Sequence, residues 1–305
     1  MNIIEISHLT RDYGGGRGVF DLSFSIPKGE VFGFLGPNGA GKTTTIRHLM
    51  GFVRPEKGKL SIGGLDCWQK TSDIQKTLGY IPGEMAFPED MTGIGFLRFM
   101  AEYRGQKDFT RAEKLMEQFE LNPKGKLKKM SKGMKQKVGI ICAFMHDPDV
   151  LLLDEPTSGL DPLMQNRFID LILEEKQRGK TILMSSHLFE EVERTCDRVG
   201  ILKEGHLAAV EDTASLKAKK QRSYMVTLSD EEAARAFALE NLHVASLEKN
   251  RVTVIVRQDM QSFIQAMGRH QVTNIDVAEQ SLEDIFLHYY GDIIGGMEND
   301  QRTAF

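Results

Sequence analysis

The sequence predicts an α/β domain followed by a small α+β module, and three features carry that prediction. Short apolar runs at Val31–Leu35, Val150–Leu153 and Thr181–Ser185 are separated by segments with helical spacing of apolar residues. Such alternation builds a parallel sheet with helices on both faces. The composition then changes at Thr213–Arg222, a basic stretch with Lys217, Lys219, Lys220 and Arg222 that reads as a linker. Beyond it, strand and helix patterns succeed one another in the order of a split βαβ module.

In chain order, Ile3–Ile6 and Leu22–Ile26 alternate apolar and polar residues and read as strands, with a turn at Gly14, Gly15 and Gly16 between them. Val31–Leu35 runs directly into Gly36-Pro37-Asn38-Gly39-Ala40-Gly41-Lys42-Thr43, and Thr44–Met50 is predicted helical. Met91–Gly105 and Thr110–Leu121 are further helices. The second opens on Thr110 and Glu113 at capping-box spacing, carries Leu115, Met116 and Phe119 on one face, and stops before Pro123. Val150–Leu153 is a buried strand. Asp161 and Pro162 suit the cap and first residue of a helix ending at Gly179. After the buried strand at 181–185, Arg198–Leu202 and His206–Val210 flank a turn at Glu204-Gly205. The second module reads as strands at 223–228, 243–247, 251–257 and 272–278, with helices at 230–240, 259–268 and 281–290.

Composition excludes several classes. The chain has 305 residues, enough for two domains. With 41% apolar and 27% charged residues it is close to the globular average, which excludes wholesale disorder. Cys67, Cys142 and Cys196 are too far apart for a disulfide framework or a Cys-pair zinc site, and they fit a reducing compartment. A membrane-spanning helix needs about 20 mostly apolar residues. The longest runs, Val138–Met145 and Val150–Leu153, fall far short. Met1–Arg11 lacks the basic and apolar regions of a signal peptide. The 39 basic residues against 43 acidic ones give a net charge of −4, which argues against general nucleic-acid binding. The expectation is a soluble intracellular chain.

Two segments carry chemistry. Gly36–Thr43 fits the phosphate-loop pattern G-x-x-x-x-G-K-[ST], in its required setting between a strand and a helix. Gly36, Gly39 and Gly41 let the backbone curl so that successive N–H groups point at phosphate oxygens, and the following helix adds its positive end. Lys42 can neutralise the β- and γ-phosphates, and the Thr43 hydroxyl can hold Mg²⁺. The second segment is the apolar strand Val150–Leu153, which ends in Asp154 and Glu155. Strand alternation puts these carboxylates on opposite sides, one for Mg²⁺ and one for the attacking water.

At this point the motifs resemble those of the nucleotide-binding subunits of ABC transporters, over about residues 2–215. Met130-Ser131-Lys132-Gly133-Met134-Lys135-Gln136-Lys137 is similar to the family's signature motif, usually Leu-Ser-Gly-Gly-Gln or a Met variant. Tyr13 resembles the aromatic that stacks on adenine, Ser158-Gly159-Leu160-Asp161 the D-loop, and His187 the switch histidine. The resemblance implies a P-loop NTPase core with a mixed sheet and a helical subdomain at about 88–145, within an ATP-binding domain at 1–215, followed by an accessory domain at 216–305. It implies ATP and Mg²⁺ as cofactors. Gly36, Pro37, Asn38, Gly39, Ala40, Gly41, Lys42, Thr43 and Thr44 would hold the nucleotide, while Ser131 and Gly133 would reach the γ-phosphate of a facing domain. Glu155 would polarise water and His187 would orient it. Thr43 and Asp154, directly or through water, would serve the metal.

Each motif occurs once, so the resemblance implies a second ATPase chain, a copy or a paralogue, and a separate membrane permease. It implies a cytoplasmic subunit, peripheral on the inner face of the membrane, that drives transport of the export type. The alternative is a non-transport ABC ATPase acting as a regulatory or interaction module. A repair-type ATPase is excluded, because the gap from Lys42 to Ser131 leaves no room for coiled-coil arms.

Two departures stand out. Where the family has a Gln that touches Mg²⁺ and the permease, this chain has Gly83 followed by Glu84. Either Glu84 takes over as a ligand or the contact is lost. Lys132 replaces the first signature glycine; it adds a cation near the partner's ATP or projects to solvent, the latter favoured. The lysines at 124, 126, 128, 129, 132, 135 and 137 have no interleaved aromatics for base stacking and read as a solvated, nucleotide-attracting helix approach. His243, His270 and His288 share no ligand spacing and read as surface or packing residues. Ser281–Leu287 reads as a capped amphipathic helix for docking, dimer support or core packing.

Overall fold

Gly14, Gly15 and Gly16, all at positive φ, fold Asn2–Asp12 (β1) back onto Gly18–Pro27 (β2) as an antiparallel pair. Val31–Leu35 (β3), Lys42–Leu49 (α1), Lys57–Ile62 (β4), Leu65–Asp66 (β5), Thr71–Thr77 (α2) and Leu78–Ile81 (β6) follow. The helices Gly93–Tyr103 (α3), Thr110–Gln118 (α4) and Lys132–Phe144 (α5) come next. Val150–Asp154 (β7), Pro162–Gln177 (α6), Thr181–Ser186 (β8), Phe189–Thr195 (α7), Arg198–Lys203 (β9) and His206–Asp212 (β10) then return to the sheet. This computed structural model describes residues 1–219, 222–256 and 260–279. The chain divides into two compact units, Met1–Thr213 and a second from Ala214 onward.

The first unit holds two sheets. A four-stranded sheet has the order β2-β1-β4-β5, and a six-stranded sheet has the order β10-β9-β3-β8-β7-β6. Within the larger sheet, β9, β3, β8, β7 and β6 are parallel, while β10 runs antiparallel to β9 around the Glu204-Gly205 turn. The sheet is therefore mixed, and the parallel reading of the apolar runs holds for its centre. β3 is buried at every residue, as a strand covered on both faces must be. Ile4, Ile6, Leu9, Leu22 and Ile26 of the antiparallel sheet share a core with Phe32, Phe34, Ile46 and Leu49. Elsewhere in the unit, α5 and α6 meet through Phe144 and Phe168, edge to face at 6.4 Å.

Asp161 caps α6 as expected, accepting the Met164 N–H at 3.0 Å, with Pro162 first in the helix. The expected capping box at Thr110 does not form. Phe109 occupies the cap position, and Asp108 Oδ1 accepts the Thr110 N–H at 2.8 Å instead. The Glu113 N–H that a Thr110 cap would accept bonds the Phe109 carbonyl at 3.1 Å instead, because the helix starts one residue earlier than the box requires.

His146, in the turn after α5, bonds through Nε2 to the Leu78 carbonyl at 3.1 Å. Burial, and then the nearby Arg104 guanidinium, lowers its pKa to about 4. The unfolded chain takes up this proton near the ordinary value of about 6.5, and the folded chain resists. Stability contributed here is present above pH 6.5 and lost as the pH falls toward 4. His146→Gln keeps a donor for Leu78 and removes the titration. We expect the urea midpoint of the variant to fall less between those two pH values than that of the wild type.

Thr213–Lys219 (α8) starts on the last residue of the first unit, and the second unit continues with Arg222–Leu228 (β11), Glu231–Ala238 (α9), Val244–Glu248 (β12), Arg251–Val256 (β13), Met260–Arg269 (α10) and Val272–Glu279 (β14). These strands form an antiparallel sheet of order β12-β13-β11-β14. Alternate residues Val226, Leu228, Val252 and Val254 face a core completed by Ala234, Phe237, Phe263 and Ala266 of the two helices. His270 packs against Phe237 and bonds Glu240 at 2.9 Å, as a packing residue would. His243 is exposed. The helix expected at 281–290, with the Ser281–Leu287 segment and His288, lies outside the described residues.

Candidate functional site

Because β3, β8, β7 and β6 are adjacent and parallel, the segments that follow them emerge along one edge of the sheet. This carboxyl edge is where open α/β sheets place ligands. It brings together the loop from Gly36, the segment at His187, the pair Asp154-Glu155, and Gly83-Glu84.

The loop after β3 is shaped by two different glycine requirements. Gly39 lies at φ +84° in open space, so backbone conformation alone demands glycine there. Gly41, at φ +106°, has no space either, since a Cβ would come 2.7 Å from Val19 Cγ1. Lys42 is buried, and its ammonium donates to the Gly36 carbonyl at 2.6 Å and the Pro37 carbonyl at 3.2 Å. It stands 3.6 Å from Glu155 Oε1. Thr43 and Thr44 are half-buried in the first turn of α1, where N–H groups have no intrahelical acceptor. The loop therefore presents free N–H donors, a helix N-terminus and an ammonium at one point, the chemistry of an anion cradle.

Asp154 is fully buried at the end of β7. Its Oδ1 accepts the Ser185 hydroxyl at 2.6 Å, while Oδ2 is buried without a partner. The Ser185 hydroxyl oxygen in turn accepts the Glu155 N–H at 3.0 Å. Glu155 departs from the expected strand alternation. β7 ends at Asp154, and Glu155 adopts a left-handed backbone with φ +47°. That conformation costs a non-glycine residue about 1–3 kcal/mol. It directs the side chain toward Lys42 and His187, and Glu155 Oε2 is hydrogen-bonded to His187 Nδ1. The orphaned Asp154 oxygen and the hydroxyl of Thr43, the last residue of the phosphate loop, are both oxygen donors of the kind that suits a hard divalent cation.

Ser131 is the N-cap of α5, its hydroxyl accepting the Met134 N–H at 3.2 Å. The first turns of α5 lie along the segment that follows Glu155. Gln136 donates to the Pro156 carbonyl at 2.6 Å, and Lys132 donates to the Ser158 hydroxyl at 2.9 Å. Gly133 approaches so closely that a Cβ would stand 2.7 Å from the Gly159 carbonyl oxygen.

Comparison with known proteins decides what this edge belongs to. The profile of the family described as ABC transporter matches residues 19–158. The chain is 32% identical to the uncharacterized ABC transporter ATP-binding protein YhcH of Bacillus subtilis, over 95% of this chain and 96% of that one. It is 33% identical to the bacitracin transport ATP-binding protein BcrA of Bacillus licheniformis, over 95% and 97%. The chain belongs to the ABC transporter ATP-binding proteins. A further relative, the linearmycin resistance ATP-binding protein LnrL of Bacillus subtilis, is 30% identical over 95% and 98%. The solved "Structure of ATP binding subunit of ABC transporter" superposes with a TM-score of 0.64 at 32% identity, covering 70% of this chain and 92% of that one. The dimeric cassette MJ0796, at 21% identity and a TM-score of 0.63, shares the fold.

As a member of the ABC family the chain is an ATP-binding, ATP-hydrolysing protein with a P-loop NTPase core. Its own departures now have a geometry. Gly83 lies against Asp154, where a Cβ would meet Oδ2 at 2.9 Å. Glu84 is exposed, and no hydrogen bond or ion pair joins it to Asp154 among the described residues. Lys132 is exposed, as the favoured reading has it, and its ammonium also donates to the Ser158 hydroxyl. Tyr13 is 48% exposed, with the Arg11 guanidinium carbon 5.3 Å from its ring centroid. It sits in the turn just before Gly18, whose carbonyl lies 3.2 Å from a Cβ built on Gly41. Sequence reasoning missed Ser185, which bonds Asp154 and the Glu155 N–H, and Gln136, which bonds the Pro156 carbonyl. The only sequence signal for the first is that two serines close an otherwise apolar strand.

Proposed function

We propose that this chain is the ATPase subunit of a multi-chain ABC transporter, driving export through a separate permease polypeptide. The observation that carries this reading is the convergence of Lys42, Glu155 and His187 at the carboxyl edge, in a chain similar along its length to transporter ATP-binding proteins. No described helix is long and apolar enough to cross a membrane, which fits a peripheral subunit working from the cytoplasmic face. Similarity to proteins named for bacitracin transport and linearmycin resistance supports the export direction.

The residues divide the work as follows. Gly36–Thr44 wrap the phosphates of ATP with backbone N–H groups, and Lys42 leaves the loop carbonyls to neutralise the β- and γ-phosphates. Tyr13 offers one ring face to the adenine. Thr43 and Asp154 would hold Mg²⁺, which would supply charge neutralisation on the phosphoryl oxygens. Glu155 polarises the attacking water, and His187, bonded to it, orients water and γ-phosphate. Ser131 and Gly133 serve the ATP of a second ATPase chain. The dimeric MJ0796 cassette is a precedent for such pairing in this fold.

The test is co-purification of the full chain with an integral membrane partner, followed by ATP-driven transport in vesicles. A soluble chain that hydrolyses ATP and recruits no membrane protein from its own cells counts against the reading. Where Glu84 substitutes for the missing glutamine, Glu84→Ala is expected to lower transport per ATP hydrolysed in those vesicles about tenfold or more, a loss of coupling above 1.4 kcal/mol. Unchanged stoichiometry retires that role.

A further inference from the structure

Glu191, in the first turn of α7, is only 3% exposed, although the neighbouring Glu190 side chain is 81% exposed. Its Oε2 accepts two hydroxyls, from Ser186 at 2.5 Å and from Thr157 at 3.4 Å. Both hydroxyls come from segments that present catalytic side chains. Ser186 is the last residue of β8 and directly precedes His187; its oxygen also accepts the Leu188 N–H at 3.0 Å, closing the chain around the histidine. Thr157 is itself 3% exposed and follows Glu155 by two residues, in a turn whose Ser158 N–H returns to the Glu155 carbonyl at 3.1 Å. A single carboxyl oxygen thus joins the Glu155 segment to the His187 segment from beneath, while Glu155 and His187 bond each other above.

Energetics make plain packing a poor account of this residue. Glu191 Oε1 is buried with no partner. Burial, with the Glu155 charge adding to it, pushes the carboxyl up to about 7. An apolar side chain of similar volume would fill the position at no electrostatic cost. What an apolar residue cannot supply is one acceptor shared by two hydroxyls on different segments.

We propose that Glu191 is a positioning residue for ATP hydrolysis, which fixes the geometry of Glu155 against His187 by clamping Ser186 and Thr157 together. It touches no nucleotide, and the inference rests on the assignment of Glu155 and His187 as the hydrolytic pair. Misplacing catalytic groups by about 1 Å can cost on the order of a hundredfold in rate. Because the carboxyl of Glu191 bonds the Ser186 and Thr157 hydroxyls and no side chain of the phosphate loop among the described residues, its loss is expected to act on turnover and to spare nucleotide affinity.

The experiment measures phosphate release over an ATP series with the full chain as wild type, E191A, E191Q, S186A, E191A/S186A and E155Q. E191A and S186A are expected to lower kcat about tenfold or more, with KM for ATP within about twofold of wild type. E191Q keeps an acceptor oxygen for both hydroxyls and is expected to retain about half of the wild-type kcat or more. The double variant is expected within about twofold of its slower parent, since both changes open one clamp. Wild-type kcat in E191A, a parallel loss of ATP affinity, multiplicative losses in the double variant, or an E191Q as slow as E191A overturns the proposal. If E191A is not recovered folded, S186A against E191Q decides: a slow S186A beside a fast E191Q supports the clamp, and a wild-type S186A overturns it. An E155Q as fast as wild type removes the pair assignment itself, whereas an inactive E155Q beside a wild-type E191A removes only the clamp.

Discussion

Glu155→Gln is expected to lower ATP turnover about a thousandfold or more, equivalent to roughly 4 kcal/mol of transition-state stabilisation. The substitution keeps the volume and the left-handed backbone at φ +47° that aims the side chain. It also leaves the amide able to bond His187 Nδ1, as the carboxylate does. What it removes is the negative charge, and with it the ability to polarise water and take its proton. The same change should strengthen nucleotide retention. Glu155 Oε1 stands 3.6 Å from Lys42 Nζ, so the carboxylate competes with phosphate for that cation. ATP-dependent dimerisation, followed by sedimentation with and without ATP, should therefore persist in a variant whose phosphate release has stopped. Unchanged turnover in purified protein would remove Glu155 from its assigned role.

The parts of this site that were legible in the sequence are those in which the chemistry dictates residue type at close spacing. A phosphate cradle needs its glycines, its lysine and its hydroxyl within eight consecutive residues, Gly36–Thr43. An acidic pair after the apolar run Val150–Leu153 is equally visible. The direction of Glu155 was not, because alternation extrapolates a strand that in fact ends at Asp154. The antiparallel sheet was half seen. β4, Lys57–Ile62, buries only Leu60 and Ile62, and its Lys-Gly-Lys start reads as a loop until β1 pairs with it. Glu191 was hidden by its surroundings. Phe-Glu-Glu-Val-Glu looks like a solvated helix face, and only packing distinguishes the buried glutamate from Glu190. Lys132 is exposed, as expected, yet it also has a bond that no local pattern shows. Its acceptor, Ser158, is 26 residues away in the same chain. Long-range hydrogen bonds of this kind leave no periodic trace, since neither residue needs its partner to satisfy a local pattern.

Lys42→Ala is expected to weaken ATP binding about a hundredfold, close to 3 kcal/mol, when titrated by calorimetry with the full chain. The argument begins with what the ammonium does without nucleotide. It is 6% exposed, donates to two loop carbonyls at 2.6 and 3.2 Å, and has Glu155 close by. A buried cation is tolerable only when paired and hydrogen-bonded in this way. The carbonyls of Gly36 and Pro37 are thus placeholders, holding the charge at the centre of the curl that Gly39 and Gly41 make possible. Phosphate oxygens are stronger acceptors than amide carbonyls, because both partners are then ionised. The exchange carries a large share of the affinity with little reorganisation of the loop. Alanine removes the charge and also leaves the Glu155 carboxylate facing the γ-phosphate without a neutralising neighbour. The penalty should therefore fall mainly on the triphosphate, and ADP affinity should drop less than ATP affinity. Equal ATP binding by wild type and variant would mean that the loop N–H groups and the helix N-terminus suffice, and that Lys42 serves only to fold the loop.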